Sequence, residues 1–114
     1  MYSCPECGDD LYKVNSIINI HLTGDEKFMS LYKCSNCYKW FLIVSMEATI
    51  GPGTNYLKYR INLSEDEGTE LKELMDKCSH EEECECPAHD YLDDFEKNNK
   101  DRRVILENET ERWN

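Results

Sequence analysis

The chain has 114 residues, of which 39% are hydrophobic, and it carries a formal net charge of −11. This length predicts one domain, and the acidic excess weighs against a protein that binds the phosphate backbone of nucleic acids. No stretch is apolar enough to predict a membrane span, and no basic segment followed by an apolar one predicts a signal peptide.

In chain order, the first element is a Cys-x-x-Cys motif at Cys4 and Cys7, and the same spacing returns at Cys34 and Cys37. Such a loop, or knuckle, brings two thiolates to one metal ion. Two knuckles complete the four-thiolate site that is typical of structural zinc. We therefore predict a zinc ion held by these four cysteines. A closed site of this kind has no open position for a substrate, so it indicates a structural role.

Four segments near these motifs have the patterns of β-strands. Residues 16–22 and 28–33 alternate and predict a hairpin that joins the two knuckles, with a turn between them. Residues 38–47 are apolar on both faces as far as Val44, which is typical of a central strand covered on both sides. Residues 56–63 alternate again and predict a further strand. Its expected inward side chains are Leu57, Tyr59, Ile61 and Leu63.

The faces of the first strand follow from its alternation. We expect Ile18 and Ile20 to share one face with Leu22, and Ile17 to lie on the other face. That other face is the more polar, since it also carries Asn19 and His21. His21 is therefore expected to be an exposed strand residue and not a metal ligand.

The second half begins with helix signals. Ser64 and Glu67 have the spacing of a capping box, and an acidic first turn suits the positive end of the helix dipole. One apolar stripe then follows at Leu71, Leu74, Met75 and Cys78. Residues 88–98 predict a short helix, 102–107 a last strand, and 108–114 a frayed polar tail. The expected buried face of this second helix is Tyr91, Leu92 and Phe95.

A second cluster of soft ligands lies between these helices, at Cys78, Cys84 and Cys86, with His89 two residues beyond. Three thiolates and one imidazole form a complete set of zinc ligands. The seven cysteines and His89 would then hold two zinc ions. His80 is the alternative fourth ligand, but the short segment from Cys84 to His89 can fold around an ion as a compact turn.

The charge is distributed unevenly along the chain. Residues 1–60 contain equal numbers of acidic and basic side chains, so the whole net charge of −11 lies in residues 61–114. We interpret the acidic half as a surface that docks a basic protein partner. Paired Cys-x-x-Cys thiols without an export signal further predict a reducing cytoplasm.

The sequence Cys4-Pro5-Glu6-Cys7-Gly8, followed by a hairpin and a second knuckle, resembles the zinc-ribbon group over residues 1–63. The second knuckle departs from the group's pattern, with Ser35 in place of proline and Tyr38 in place of glycine. The fold expected is α+β: a small antiparallel sheet of zinc-ribbon type, one or two short C-terminal helices and a second metal-stapled loop. The predicted regions are 1–63 and 64–114, packed as one unit.

Other functions stay open at this point. The Cys4 site could hold iron as in rubredoxin, shielded by Tyr38, Trp40 and Phe41, for electron transfer. The resemblance also implies nucleic-acid binding, which would have to use the few basic side chains of the first half (Lys33, Lys39, Lys58 and Arg60). No sequence motif of a hydrolase, a phosphate-binding loop or a zinc protease is present, and we expect no enzymatic activity.

An enzyme would require an open metal position. If His89 were not a ligand, the ion at Cys78, Cys84 and Cys86 could activate water. A neighbouring glutamate would then act as the base. The candidates for that base are Glu82, Glu83 and Glu85.

Overall fold

The computed structural model describes residues 2–20, 26–50, 53–78 and 87–112. Within them, five antiparallel strands form one sheet in chain order. Two helices lie between the fourth and fifth strands, so the predicted α+β class is confirmed. The strands are β1 (Leu11–Ile20), β2 (Glu26–Cys34), β3 (Trp40–Ile50), β4 (Gly53–Leu63) and β5 (Arg103–Arg112), and the helices are α1 (Glu65–Asp76) and α2 (Pro87–Asn98).

The middle strand, β3, is buried on both faces, as its sequence predicts. Leu42 and Val44 face the helices, whereas Phe41 packs beside the cysteines on the opposite face. Ile43 is also buried. Two faces of apolar side chains let β3 serve both the helix-covered core and the cysteine cluster.

Ile17 and Ile18 lie on opposite faces of β1, as predicted, but the face that carries Ile17, expected to be the more polar one, is the buried face. Ile17 is 1% exposed and belongs to the helix-covered core, whereas Ile18 is 41% exposed. The register explains the difference, because Ile17 pairs with the buried Met29 and must lie on the same face as Met29. Adjacent isoleucines leave the alternation ambiguous, and the irregularity between Lys13 and Asn15 shifts the register further. His21 and Leu22 lie outside the described residues.

The predicted capping box at the start of α1 is present. The Glu67 amide donates to Ser64 Oγ over 3.2 Å, and the Ser64 amide donates to Glu67 Oε1 over 2.9 Å. The guanidinium of Arg102 also donates to both carboxylate oxygens of Glu67, over 2.9 Å to Oε2 and 3.0 Å to Oε1. The Arg102 guanidinium holds the pKa of Glu67 below its usual value. The cap of α1 is thereby joined to the turn that precedes β5.

Both helices pack on one face of β1–β4 and close the main core. The predicted stripe of α1 is buried at Leu71, Met75 and Cys78, and Leu92 and Phe95 are buried on α2 as predicted. Gly68 of α1 lies directly against the indole of Trp40, where a Cβ atom would overlap the ring. The remaining core side chains are Ile17, Met29, Leu31, Leu42, Val44, Tyr59, Ile61, Leu63 and Ala88.

A buried carboxylate fastens α2 to the sheet. Glu96 is 4% exposed and accepts hydrogen bonds from the Tyr59 hydroxyl and, over 2.5 Å, from Lys27 Nζ. Burial, and then the hydrogen bond to Glu96, raises the pKa of Tyr59. The guanidinium of Arg103 stacks 4.3 Å from the centre of the Tyr59 ring. These contacts give the buried charge of Glu96 partners from β2 and β4.

The last strand is longer than its sequence predicts. β5 begins at Arg103, after a 3₁₀ turn at Lys100–Arg102, and continues to Arg112. The expectation of a frayed tail from residue 108 is therefore wrong as far as Arg112. Backbone pairing with β4 orders this polar segment although it has little apolar surface to bury. Among the described residues, no helix has the length and apolar character that crossing a membrane requires.

Candidate metal centre

The first knuckle is closed by backbone hydrogen bonds around Cys4. The Gly8 amide donates to the Cys4 carbonyl over 2.9 Å, and the Cys4 amide donates to the Asp9 carbonyl over 2.7 Å. Gly8 has a φ angle of +80°, in the left-handed region that glycine adopts without steric cost. This tight turn presents the Cys4 and Cys7 thiols on the same side of the loop.

The second knuckle repeats this backbone without a glycine. The Tyr38 amide donates to the Cys34 carbonyl over 3.1 Å, and the Cys34 amide donates to the Lys39 carbonyl over 2.9 Å. Tyr38 takes the position of Gly8 and has a φ angle of +61°, which is unusual for a bulky side chain. The departure from the zinc-ribbon pattern at Tyr38 is thus accommodated by strain and not by a different turn.

The four predicted ligands converge on one point. The Sγ–Sγ distances are 3.6 Å for Cys4 and Cys37, 3.4 Å for Cys7 and Cys34, and 3.9 Å for Cys7 and Cys37. All four sulfur atoms lie within 4.8 Å of one another. A tetrahedral zinc ion about 2.3 Å from each sulfur would place the sulfurs about 3.8 Å apart. The donor set therefore fits one tetrahedral metal ion.

The thiols differ in acidity according to their position in each knuckle. The amides of Cys37 and Asn36 lower the pKa of Cys34 to about 7, against the opposing effect of burial. The pKa of Cys4 is also lowered, because loop amides outweigh its burial. Cys37 has a pKa raised to about 12, since burial and the neighbouring thiols outweigh the favourable amide of Lys39. Hydrogen bonds from the loop amides therefore favour the thiolate form, and a bound cation would offset the crowding of negative charge.

A small apolar cluster supports the site from the sheet side. Cys4 and Cys34 are buried with Leu11 and Phe41, whereas Cys7 is exposed. This cluster is much smaller than the helix-covered core, so few apolar contacts hold the two knuckles together. The knuckles are also joined at the surface by an ion pair between Lys39 and Glu6.

The second predicted site is described only in part. Cys78 is buried at the end of α1, and His89 is buried on α2 with Nε2 3.2 Å from the Ile18 carbonyl oxygen. Cys84, Cys86 and the alternative ligand His80 lie outside the described residues. Among the residues that the structure does describe, the four cysteines of the two knuckles are the one cluster of three or more candidate ligands whose ligand atoms all lie within 4.8 Å of one another.

Sequence reasoning missed the buried contact of Glu96 with Lys27 and Tyr59. Glu96 follows Ala88 and Leu92 at helical spacing, on the apolar face of α2. A charged residue on that face was a detectable signal that a buried partner existed.

Comparison of the chain with protein-family models, with curated proteins and with solved structures gave no match.

Proposed function

We propose that this protein is an interaction module in which zinc has a structural role and the acidic C-terminal half docks a basic protein partner. The convergence of four thiolates from two knuckles carries the structural part of the proposal. A closed tetrahedral site leaves no position for a substrate, so the proposal assigns no enzymatic activity to it. The Cys-Pro-x-Cys-Gly form of the first knuckle also supports a relationship to zinc ribbons.

Zinc is the metal proposed for the Cys4 site, in a reducing cytoplasm that keeps the thiols free. The competing function is electron transfer by an iron ion, and the burial of Phe41 beside the ligands favours it, because an apolar shell shields a redox centre. Elemental analysis of protein purified from native material separates the two. A colourless protein with zinc supports the structural role, whereas a red protein with iron would establish the redox alternative.

We further propose a second zinc ion bound by Cys78, Cys84, Cys86 and His89. The burial of Cys78 and His89 supports this site. The contact between His89 Nε2 and the Ile18 carbonyl oxygen also supports this site. Metal-binding histidines usually donate the N–H of their other ring nitrogen to a carbonyl or carboxylate oxygen.

Native mass spectrometry tests the metal count. Two zinc equivalents, falling to one in Cys84→Ser, would support the second site. One equivalent, with Cys78, Cys84 and Cys86 all reactive to a thiol reagent in the folded protein, would exclude it. Cys84→Ser should also be better folded than Cys34→Ser, because the second site closes a local loop whereas the first joins the start of β1 to the connection between β2 and β3.

The docking proposal is supported by the charge distribution. All of the net charge of −11 lies after residue 60, and such a field steers a basic partner while it repels nucleic acid. Proteins captured from the native cytoplasm should be basic and should be released by salt. Replacing Glu81, Glu82, Glu83 and Glu85 with glutamine should weaken capture. A submicromolar, salt-sensitive gel shift with random nucleic acid would contradict the proposal, as would partners whose binding survives both high salt and this neutralisation.

A further inference from the structure

The two edges of the sheet differ in how they are protected. β1 is one edge, and both helices contact it: Asn15 Nδ2 donates to Asp76 Oδ1 over 2.9 Å, and His89 Nε2 lies 3.2 Å from the Ile18 carbonyl oxygen. Contacts with a helix keep an edge strand from pairing with another chain.

The other edge, β5, exposes apolar side chains. Val104, Ile105 and Leu106 are 40%, 53% and 37% exposed, and every side chain from 104 to 109 is exposed. Among the side chains that the structure describes, those of the buried core come from β1–β4 and both helices, and none comes from β5. An exposed edge strand with consecutive apolar residues offers unpaired backbone groups and apolar surface to an incoming strand.

Acidic residues follow this apolar segment on the same strand. Glu107 pairs in register with Lys58, and Glu109 with Tyr56. Lys58 and Tyr56 are two residues apart on β4, so Glu107 and Glu109 lie on one face of the sheet. Both line a groove of 340 Å³ with Ser45, Tyr56 and Lys58. Lys58 Nζ is 3.7 Å from Glu107, a loose contact at an exposed carboxylate.

We infer that β5 is the docking edge of this protein, and that it pairs with an extended segment of a basic partner. This inference rests on the proposed docking function and gives it a location. Apolar side chains of the segment would cover Val104–Leu106, and its lysines or arginines would face Glu107 and Glu109. Main-chain hydrogen bonds supply affinity in strand addition, and the alternating side chains supply selectivity.

The irregularity in β5 limits where the incoming strand can pair. Ile105 opposes Tyr59 and Glu107 opposes Lys58, so Leu106 is an extra residue that bulges from the ladder. The regular part of β5 after the bulge runs from Glu107 to Arg112. The incoming backbone therefore pairs along Glu107–Arg112, while its apolar end rests on Val104–Leu106.

A second copy of this chain fits the edge poorly. Pairing two β5 strands brings together two copies of a strand that has three acidic side chains (Glu107, Glu109 and Glu111) and two basic ones (Arg103 and Arg112). The net charge of −11 on each copy adds repulsion between them. The acidic edge selects a partner of opposite charge.

A peptide that alternates lysine with valine is the probe for this edge. Added to the full-length, zinc-loaded protein labelled with ¹⁵N, it should shift the amide signals of residues 107–112 and leave those of β1 unchanged. Two further peptides carry N-methyl groups on all valine amides or on all lysine amides. Successive amides of a strand point to opposite edges, so one methylated peptide should lose binding and the other should keep it.

Matched neutral variants test the role of charge. The double variant Glu107→Gln with Glu109→Gln should bind the peptide at least about fivefold more weakly, because two attractive contacts are lost. Glu73→Gln with Asp94→Asn removes the same charge from exposed positions on α1 and α2, and should change binding less than about twofold. Thermal melts of both double variants check that each is folded.

Each result supports or overturns the inference. Equal weakening by the two double variants, or equal binding of the two methylated peptides, would leave docking of a basic partner intact but remove β5 as its place. A concentration-dependent dimer with shifted β5 signals in the absence of peptide would show that a second copy covers the edge. If neither this peptide nor polylysine binds at low salt, the proposed docking function fails together with the inference.

Discussion

The two knuckles have the same backbone hydrogen bonds but different surroundings. The first lies at the edge strand β1, has a glycine at the left-handed position and presents the exposed Cys7. The second connects β2 directly to the central strand β3, has Tyr38 at the equivalent position and contains the fully buried Cys34. A strained residue persists where the surrounding structure fixes the chain on both sides. The second knuckle is therefore fixed by the sheet on both sides, whereas the first is followed by the sheet on one side only and relies on its own glycine.

The largest effect is expected when one cysteine of each knuckle is replaced and the losses of stability are compared. Cys34→Ser and Cys7→Ser each leave three thiolates and weaken metal binding. Cys34→Ser also leaves a hydroxyl in the buried cluster with Phe41, at the point where two paired strands end. We expect its melting temperature to fall by about 15 °C or more, and that of Cys7→Ser by less. Calorimetry with metal analysis of both variants measures this, and a more damaged Cys7→Ser would reverse the comparison.

Gly68→Ala tests how firmly the second knuckle is tied to the core. Trp40 follows this knuckle, and the added methyl group would overlap its indole ring. Alanine favours a helix by about 1 kcal/mol over glycine, but forcing the indole to move costs about 1–3 kcal/mol, so we expect net destabilisation. Glu73→Ala, at an exposed position of α1, is the control and should be nearly neutral in urea denaturation. A stabilised Gly68→Ala protein would show that Trp40 yields easily.

Substitutions at the two left-handed positions should change the stability of the protein in opposite directions. No atom lies within 4 Å of a Cβ added at Gly8, so Gly8→Ala measures backbone strain without a clash and should cost about 1 kcal/mol. Tyr38→Gly relieves the same strain and should stabilise the protein by less than about 1 kcal/mol, because glycine is more flexible in the unfolded chain. The denaturant midpoints of both variants, compared with that of the unchanged protein, measure these two changes in stability. Destabilisation by Tyr38→Gly would mean that the tyrosine side chain contributes more than its backbone costs.

The smallest effect is expected at the ion pair between the knuckles. Lys39 and Glu6 are each about half exposed, and the hydrogen bond to Glu6 raises the pKa of Lys39. Exposed ion pairs contribute little and are screened by salt. A double-mutant cycle with Lys39→Met and Glu6→Gln should give a weak coupling that disappears at high salt. Strong coupling at high salt would show instead that this pair holds the knuckles in register.

Local chemical signals in the sequence predicted much of the fold. The capping box of α1 requires only Ser64 and Glu67 at a fixed spacing, and the central position of β3 follows from a run that is apolar on both faces. The convergence of the four thiols of Cys4, Cys7, Cys34 and Cys37 was predictable for the same reason, since each Cys-x-x-Cys loop brings its two thiols together. In each case the residues that carry the signal are close together in the chain.

The features that were missed depend on partners distant in the sequence. The face of Ile17 is set by its register with Met29, and the ordering of β5 beyond residue 107 is set by β4. Glu96 finds its partners on β2 and β4, which periodicity on α2 cannot identify. Tyr38 gave no local sign of its positive φ, although its position after the second knuckle matches that of Gly8.

The route from β4 to β5 has a consequence for synthesis on the ribosome. The first four strands pair with their neighbours in the chain, but β5 begins only at Arg103, after both helices have intervened. Closing this long loop costs more entropy than closing a hairpin, so β5 should join the sheet last. Until then the edge of β4, including Tyr59 and Ile61, is open to other nascent chains. A ribosome that stalls before residue 103 would release a protein with an unpaired β4, and such a fragment should aggregate although most of its core is complete.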